Sequence, residues 1–256
     1  MILWNNAEQG TDAWKAARRG RITGSRFKDA RARLKNGSPA GECLGYAYDV
    51  ARERLGGIAP AKFTTSAMRE GTTNEPLARM KYEARTGEIV DEVGFAYTED
   101  GKFGLSPDGL IGDDGVWECK TMVSSKTLFE AMVDGDISEY RDQCLGYLWL
   151  LHRQWVDLTL YCPDLDLLHV VRITRDEDEI QKLVDDLMAF DRLVESLRAR
   201  LAALMPEQDA ALDGLTLWEA AEPAAVPAPE AAPAAAPATP APKAVRPDEL
   251  ADALPF

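Results

Sequence analysis

From Glu222 to Pro247 the chain reads EPAAVPAPEAAPAAAPATPAPKAVRP, a run with almost nothing large to bury and a proline every few residues. Such a segment cannot remove enough apolar surface from water to offset the entropy of ordering it, so it reads as a disordered, partly polyproline-II linker. At about 3 Å per residue it could reach roughly 75 Å. Folding is therefore confined upstream, where composition changes sharply at Met205-Pro206. The sequence divides into a folded region at 1–206, a Pro/Ala-rich linker at 207–247 and a short acidic end at 248–256. The chain has 256 residues and is 46% hydrophobic, enough for the first region to build a core.

Charge follows the same division. The net charge is −14, and beyond Pro206 nine acids against Lys243 and Arg246 supply −7 of it. The folded region is only mildly acidic, so any contact with nucleic acid must be local rather than spread over a basic face. Cys43, Cys119, Cys144 and Cys162 contain no CxxC pair and are accompanied only by His152 and His169, which argues against a zinc or disulfide framework. The first residues, MILWNNAEQGTDAW, lack a basic segment followed by an apolar run, and no stretch approaches the ~18 apolar residues of a membrane span. The expected location is the cytoplasm, with no membrane partner.

Within 1–206, apolar residues recurring at three and four predict helices at about 11–18, 24–35, 43–55, 66–85, 124–133, 138–151 and 176–204. The last of these spaces Leu183, Leu187, Phe190, Leu193, Val194 and Leu197 for packing on a core. β-rich runs predict strands at about 88–97, 102–111, 115–121, 154–162 and 167–173. Helices come first, a sheet follows and helices then interrupt it, which suggests an α/β fold with a central mixed sheet flanked by helices.

The centre of the sequence is SPDGLIGDDGVWECK, from Ser106 to Lys120. Gly109 and the turn at 112–115 allow a hairpin that brings Asp108 beside Glu118, about one strand spacing away. Side chains alternate along a strand, so Glu118 and Lys120 share a face while Cys119 points to the other. Two carboxylates held together repel unless a cation joins them, and hard oxygen donors select Mg²⁺ or Mn²⁺ over zinc. Such an ion lowers the pKa of its water and polarises a phosphoryl oxygen, with Lys120 placed to orient water or stabilise charge. Taken alone, the same pattern also fits two plain turns and a solvated ion pair on an edge strand.

Three further segments stand beside it: QGTDAWKAARRGRITGSRF at 9–27, EGTTNEPLARMKYEARTG at 70–87 and YRDQCLGYLWLL at 140–151. In order and spacing the four motifs resemble the phage lambda exonuclease and YqaJ-type viral recombinase family, within the PD-(D/E)xK nucleases. The likeness covers most of residues 8–173 and implies a restriction-endonuclease-like core. By matching positions it implies Asp108, Glu118 and the Cys119 carbonyl as metal ligands, Lys120 as the catalytic lysine, and Glu75 near a second ion or its water. Gln143 matches a glutamine near the active site. Arg18, Ser25, Ser106 and Lys126 match a pocket for the 5′ phosphate of the substrate. Lys126 stands where the lambda enzyme carries arginine, so a point charge replaces a bidentate fork.

The resemblance implies 5′ to 3′ digestion of linear double-stranded DNA with two Mg²⁺ (or Mn²⁺) ions, leaving 3′ single strands for recombination by annealing, in a phage or prophage setting. It also implies a trimeric ring around DNA. A structure- or sequence-specific endonuclease and a catalytically idle DNA-end adaptor are the alternatives. The chain ends PDELADALPF, which resembles the C-terminal tip of bacterial single-stranded DNA-binding proteins. There Phe256, with Leu254 and Pro255, would fill an apolar pocket while Asp248, Glu249 and Asp252 meet a basic rim. The partners so implied are a single-strand annealing protein or host proteins that read such tips.

Overall fold

The structure is a computed structural model that describes residues 1–60 and 66–205, without the side chains of 66–72. The chain divides into two units, Met1–Met205 and Pro206–Phe256, and the linker and tail readings at 207–256 lie outside the described residues.

The first unit is mixed α/β, as the sequence predicts, with its strands in two four-stranded mixed sheets. One contains β1 (Ile2–Asn5), β3 (Phe95–Thr98), β4 (Phe103–Leu105) and β2 (Ile22–Thr23) in that order. The other orders β5 (Gly109–Ile111), β6 (Gly115–Thr121), β7 (Trp155–Cys162) and β8 (Leu167–Thr174). In the second sheet β6 and β7 are parallel while both outer pairs are antiparallel. The helices are α1 (Asp12–Arg18), α2 (Phe27–Arg31), α3 (Gly41–Glu53), α4 (Ser66–Thr86), α5 (Ser125–Leu128), α6 (Ser138–Leu150) and α7 (Glu177–Ala202).

The single strand predicted at 102–111 is in fact two, and they belong to different sheets. Pro107 has no amide hydrogen for a ladder, so Ser106-Pro107-Asp108 leaves one sheet and enters the other. The strand predicted at 88–97 is also shorter. Only 95–98 joins a sheet, and Asp91 makes one isolated bridge to Leu110. Gly109 permits that approach, because a Cβ there would lie 2.2 Å from a Val90 methyl. The helix predicted at 24–35 opens as a 3₁₀ turn at Gly24–Arg26 and ends at Arg31.

The second sheet separates two apolar clusters. On one face Val116, Val156, Leu158 and Leu160 join α3, α6 and α7 in the main core. The period-two alternation puts Glu118 on this same face, and Trp117 on the opposite one with Tyr161 and with Ala78 and Tyr82 of α4. Helix α7 buries Ile180, Leu183, Leu187, Phe190 and Val194 at helical spacing. At its start the Asp176 side chain accepts the amides of Asp178 and Glu179, both at 3.0 Å.

One buried polar group ties α4 to the sheet. Asp157 accepts two bonds from the Arg172 fork at 2.7 and 2.8 Å and a third from the Tyr82 hydroxyl at 2.6 Å. Removing Asp157 leaves a buried hydroxyl and a half-exposed guanidinium without their acceptor. We expect Asp157→Ala to cost about 2 kcal/mol and Tyr82→Phe about 1 kcal/mol in urea unfolding.

Candidate active site

Asp108, the last residue of the crossover, uses Oδ2 to accept the Cys119 amide at 2.8 Å. This bond fixes its carboxyl against β6. Two groups on that strand define the rest of the cluster: Glu118, 1% exposed, and Lys120, whose Nζ lies 2.6 Å from Glu118 Oε1. Helix α6 supplies the other contacts. Gln143 Nε2 donates to Glu118 Oε1 at 2.8 Å, and the Tyr147 hydroxyl, one helical turn on, donates to Glu118 Oε2 at 2.6 Å. Tyr140, from the first turn of the same helix, places its ring 5.8 Å from the Lys120 ammonium. Glu118 is thus a buried charge with an opposite charge and two neutral donors, the condition under which such burial is tolerated.

The electrostatics follow from this crowding. Burial first, then the charges of Glu118 and Glu75, hold the Asp108 carboxyl well above the ordinary carboxylate range. Burial and then Glu118 also push the Glu75 carboxyl up, with Arg79 opposing. Burial works against the charge on Lys120, but Glu118 and Asp108 outweigh it and keep the ammonium above the usual lysine range. Burial pushes the Cys119 and Cys144 thiols upward, so neither supplies a thiolate near neutral pH. The Tyr147 phenol is raised too, by burial and then Glu118, and remains a donor.

A second cluster lies on the other side of Pro107. Ser106 Oγ accepts from Trp14 Nε1 at 3.0 Å and from Arg18 Nη1 at 3.3 Å, while Arg18 Nη2 donates to Ser25 Oγ at 3.3 Å. The Arg18 guanidinium also sits 4.2 Å from the Trp14 ring centre. Among the described residues it has no carboxylate within ion-pairing distance, and burial pulls its pKa down. A desolvated guanidinium held by rings and hydroxyls, with no counter-charge, is suited to an incoming anion. The two clusters touch at Ser106, whose carbonyl lies 3.1 Å from the Tyr147 hydroxyl.

The structure therefore brings Asp108, Glu118, Cys119, Lys120 and Gln143 together, with Glu75 close enough to act on their charge. Glu75 is not spent on Arg79, which pairs with Glu92 instead. Arg18, Ser25 and Ser106 also converge. Lys126 does not join them: its side chain is 80% exposed and pairs with Glu130, four residues on, at 3.7 Å. Sequence reading missed Trp14 and Tyr147. The signal for Tyr147 was its i,i+4 spacing from Gln143, which puts both on one helical face.

The donor chemistry fits a divalent cation. Asp108 and Glu118 are hard oxygen donors whose repulsion Lys120 only partly relieves, and an ion would lower the raised carboxyl pKa values. Among the described residues no three His, Cys, Asp or Glu side chains close into a ready-made cage. The candidate donors are two carboxylates and the Cys119 main-chain carbonyl.

The model of the YqaJ-like viral recombinase domain matches residues 13–154, a span that takes in both clusters. The chain belongs to this family. Among solved structures it is similar to an alkaline exonuclease, LHK-Exo, from Laribacter hongkongensis. The two are 34% identical with a TM-score of 0.66, over 75% of this chain and 97% of that one. The same enzyme in complex with dAMP gives 34% identity and a TM-score of 0.64, over 76% of this chain and 100% of its own. A phage related exonuclease from Haemophilus somnus 129PT shares the fold at 15% identity, with a TM-score of 0.56 over 73% and 96%. Among curated proteins none matches. The family's PD-(D/E)xK core is the fold described above.

The raised carboxyl of Asp108 has a thermodynamic consequence. A carboxyl whose folded pKa lies above its unfolded value binds more protons when folded, so its contribution to stability falls as pH rises from the unfolded carboxylate range through the folded pKa. In metal-free protein, Asp108→Asn keeps the acceptor for the Cys119 amide and removes that charge. The stability of the variant relative to wild type should increase between about pH 5 and pH 8 in urea titrations.

Proposed function

We propose that this family member is a Mg²⁺- or Mn²⁺-dependent exonuclease that degrades one strand of linear double-stranded DNA from its 5′ end. It would leave a 3′ single strand for recombination by annealing. Membership of a viral recombinase family and the likeness to alkaline exonucleases support nuclease action on DNA in recombination. The observation that carries the finer reading is the short Ser106-Pro107-Asp108 crossover. It places a counter-charge-free guanidinium beside one of its ends and a carboxylate–lysine cluster beside the other.

In this reading Arg18, Ser25 and Ser106 hold the terminal phosphate and so set which bond faces the carboxylates. Asp108, Glu118 and the Cys119 carbonyl would hold an ion, with Glu75 reaching another ion or its water. The cation, when bound, supplies an activated water and a polarised phosphoryl oxygen. Lys120 carries a fixed positive charge to the reacting phosphate and is near enough to Glu118 to orient a water. Gln143 and Tyr147 lock the Glu118 carboxylate, leaving its charge but not its rotamer free to respond. Lys126, exposed and paired with Glu130, contributes less to end selection than the motif match implies.

The deciding experiment is nucleotide release from linear and circular duplex DNA with Mg²⁺, using 5′-phosphate and 5′-hydroxyl ends. We expect linear 5′-phosphorylated DNA to be digested fastest and circular DNA to survive. Lys120→Ala should lose at least about 100-fold in rate. Cleavage of circular DNA would favour the endonuclease, and no cleavage by folded protein would favour the adaptor.

The same proposal includes a trimeric ring and a docking role for the acidic Pro-Phe end, whose residues lie outside the described ones. Deleting Leu254–Phe256 should abolish capture of an annealing protein, or of a host protein that reads single-strand-binding tips, without changing the nuclease rate. Unchanged capture would remove the docking role.

A further inference from the structure

Behind Arg18 lies a cavity of about 190 Å³, lined by Arg18, Arg19, Arg21 and Arg26, with Asp49 and Glu53 among its other walls. In a chain of net charge −14, a concavity with this many guanidinium groups needs an explanation. The first possibility is that the walls neutralise one another, and the contacts decide this residue by residue.

Arg26 is neutralised. It bonds Asp29 at 2.8 Å and Asp49 at 3.1 Å and stacks on Tyr46. Glu53 accepts the Gly20 amide at 2.8 Å through Oε2; its charge acts on Arg18 through space, but it forms no ion pair with the cavity arginines among the described residues. Arg18, Arg19 and Arg21 have no carboxylate within ion-pairing distance among the described residues. Arg21 packs 4.5 Å from the Tyr97 ring centre and gives one terminal nitrogen to the Ala17 carbonyl. Its buried Nε has no acceptor among the described residues. Buried donors in native structures nearly always have a partner, so an unmatched guanidinium nitrogen beside two unpaired cations points to an anionic ligand.

The backbone holds this arrangement open. Gly20 has φ +72°, its amide bonds Glu53 and its carbonyl accepts Arg54 Nε at 2.9 Å. Arg54 is in turn fixed by Asp191 at 2.7 Å and Glu195 at 2.8 Å. The end of α3 therefore grips the turn between Arg19 and Arg21 through the two peptides that flank Gly20. Like charges are kept adjacent there by a scaffold that spends its own acids on other partners.

We propose that this cavity is a second phosphate subsite, which takes an internucleotide phosphate of the same strand whose end Arg18 holds. Arg18 forms part of both walls, which places the cavity beside the end pocket, where a phosphate from the first few linkages of the same strand would lie. Arg19 and Arg21 supply the additional charge. The inference rests on the end-binding role proposed for Arg18, and it adds a contact that would hold the strand's path rather than its terminus.

The test measures binding of a 5′-phosphorylated hairpin duplex to the full-length protein by fluorescence anisotropy, without divalent metal. Arg19→Gln and Arg21→Gln should each weaken binding about 5- to 10-fold and make the salt dependence shallower by about one unit of log–log slope. A single uncharged methylphosphonate at one of the first three linkages should weaken wild type similarly. On that DNA the two variants should lose nothing more. Losses that multiply at all three positions would overturn the subsite, as would unchanged binding by both variants. Arg19 is exposed, so Arg19→Gln remains informative even if Arg21→Gln misfolds. A 5′-triphosphate hairpin that binds tighter through Arg19 and Arg21, with no methylphosphonate effect, would transfer the cavity to polyphosphate ends and also overturn the strand-path assignment. The 5′-phosphate against 5′-hydroxyl ratio for wild type and Arg18→Gln tests the end pocket separately, so failure of one reading does not imitate failure of the other.

Discussion

The carboxylate of Glu118 is the group around which the domain is arranged. It is an acid on the core-facing side of a central strand, where an unpaired charge would be expelled or protonated. Its survival as a site depends on three donors reaching it at once: Lys120 from two residues along the same strand, and Gln143 and Tyr147 from α6. The first requires only the strand alternation. The other two require α6 to pack against the sheet in one rotation, so the apolar residues beside them, Cys144, Leu145 and Leu148, also fix the setting of the Glu118 carboxylate. Core packing and site geometry are the same constraint here.

Pro107 imposes the other organising constraint. By interrupting what would be one strand, it obliges the chain to pass between sheets at the point where chemistry is needed. Ser106 then faces a guanidinium and Asp108 faces the carboxylate cluster. Only Pro107, with its fixed φ, separates the two. In the proposed function, the groups that would hold a strand end and those that would meet the scissile bond therefore flank a single residue.

This division explains what could be read from the sequence. The alternation Glu118-Cys119-Lys120 and the hairpin that returns to Asp108 are short-range consequences of turn residues and strand period, so they were legible. So were the long helices, where apolar spacing accumulates over many residues. Strands β1 and β2 are too short to show a period, and the break at Pro107 was read through because the flanking residues are equally β-prone. Ser25 and Ser106 could be named by motif, but the exposure of Lys126 could not: a match in position says nothing of where a short helix points its side chain. Trp14 and Tyr147 act through contacts to Ser106 92 and 41 residues away, and no local pattern encodes such a pairing.

The overall acidity of the chain is then less paradoxical than it looks. Long-range attraction to DNA depends on net charge and is screened over roughly 10 Å at moderate salt, whereas a seated phosphate feels only the groups beside it. Near Arg18 those groups include Arg19 and Arg21, which form no ion pair among the described residues, while Asp49 is paired with Arg26. Acids elsewhere on the surface oppose loose association with any polyanion. They leave intact the guanidinium cluster around Arg18. In the proposed function, discrimination between an end and the interior of a duplex would follow from that contrast, because only an end could bring a phosphate into a concave pocket instead of along a repelling surface.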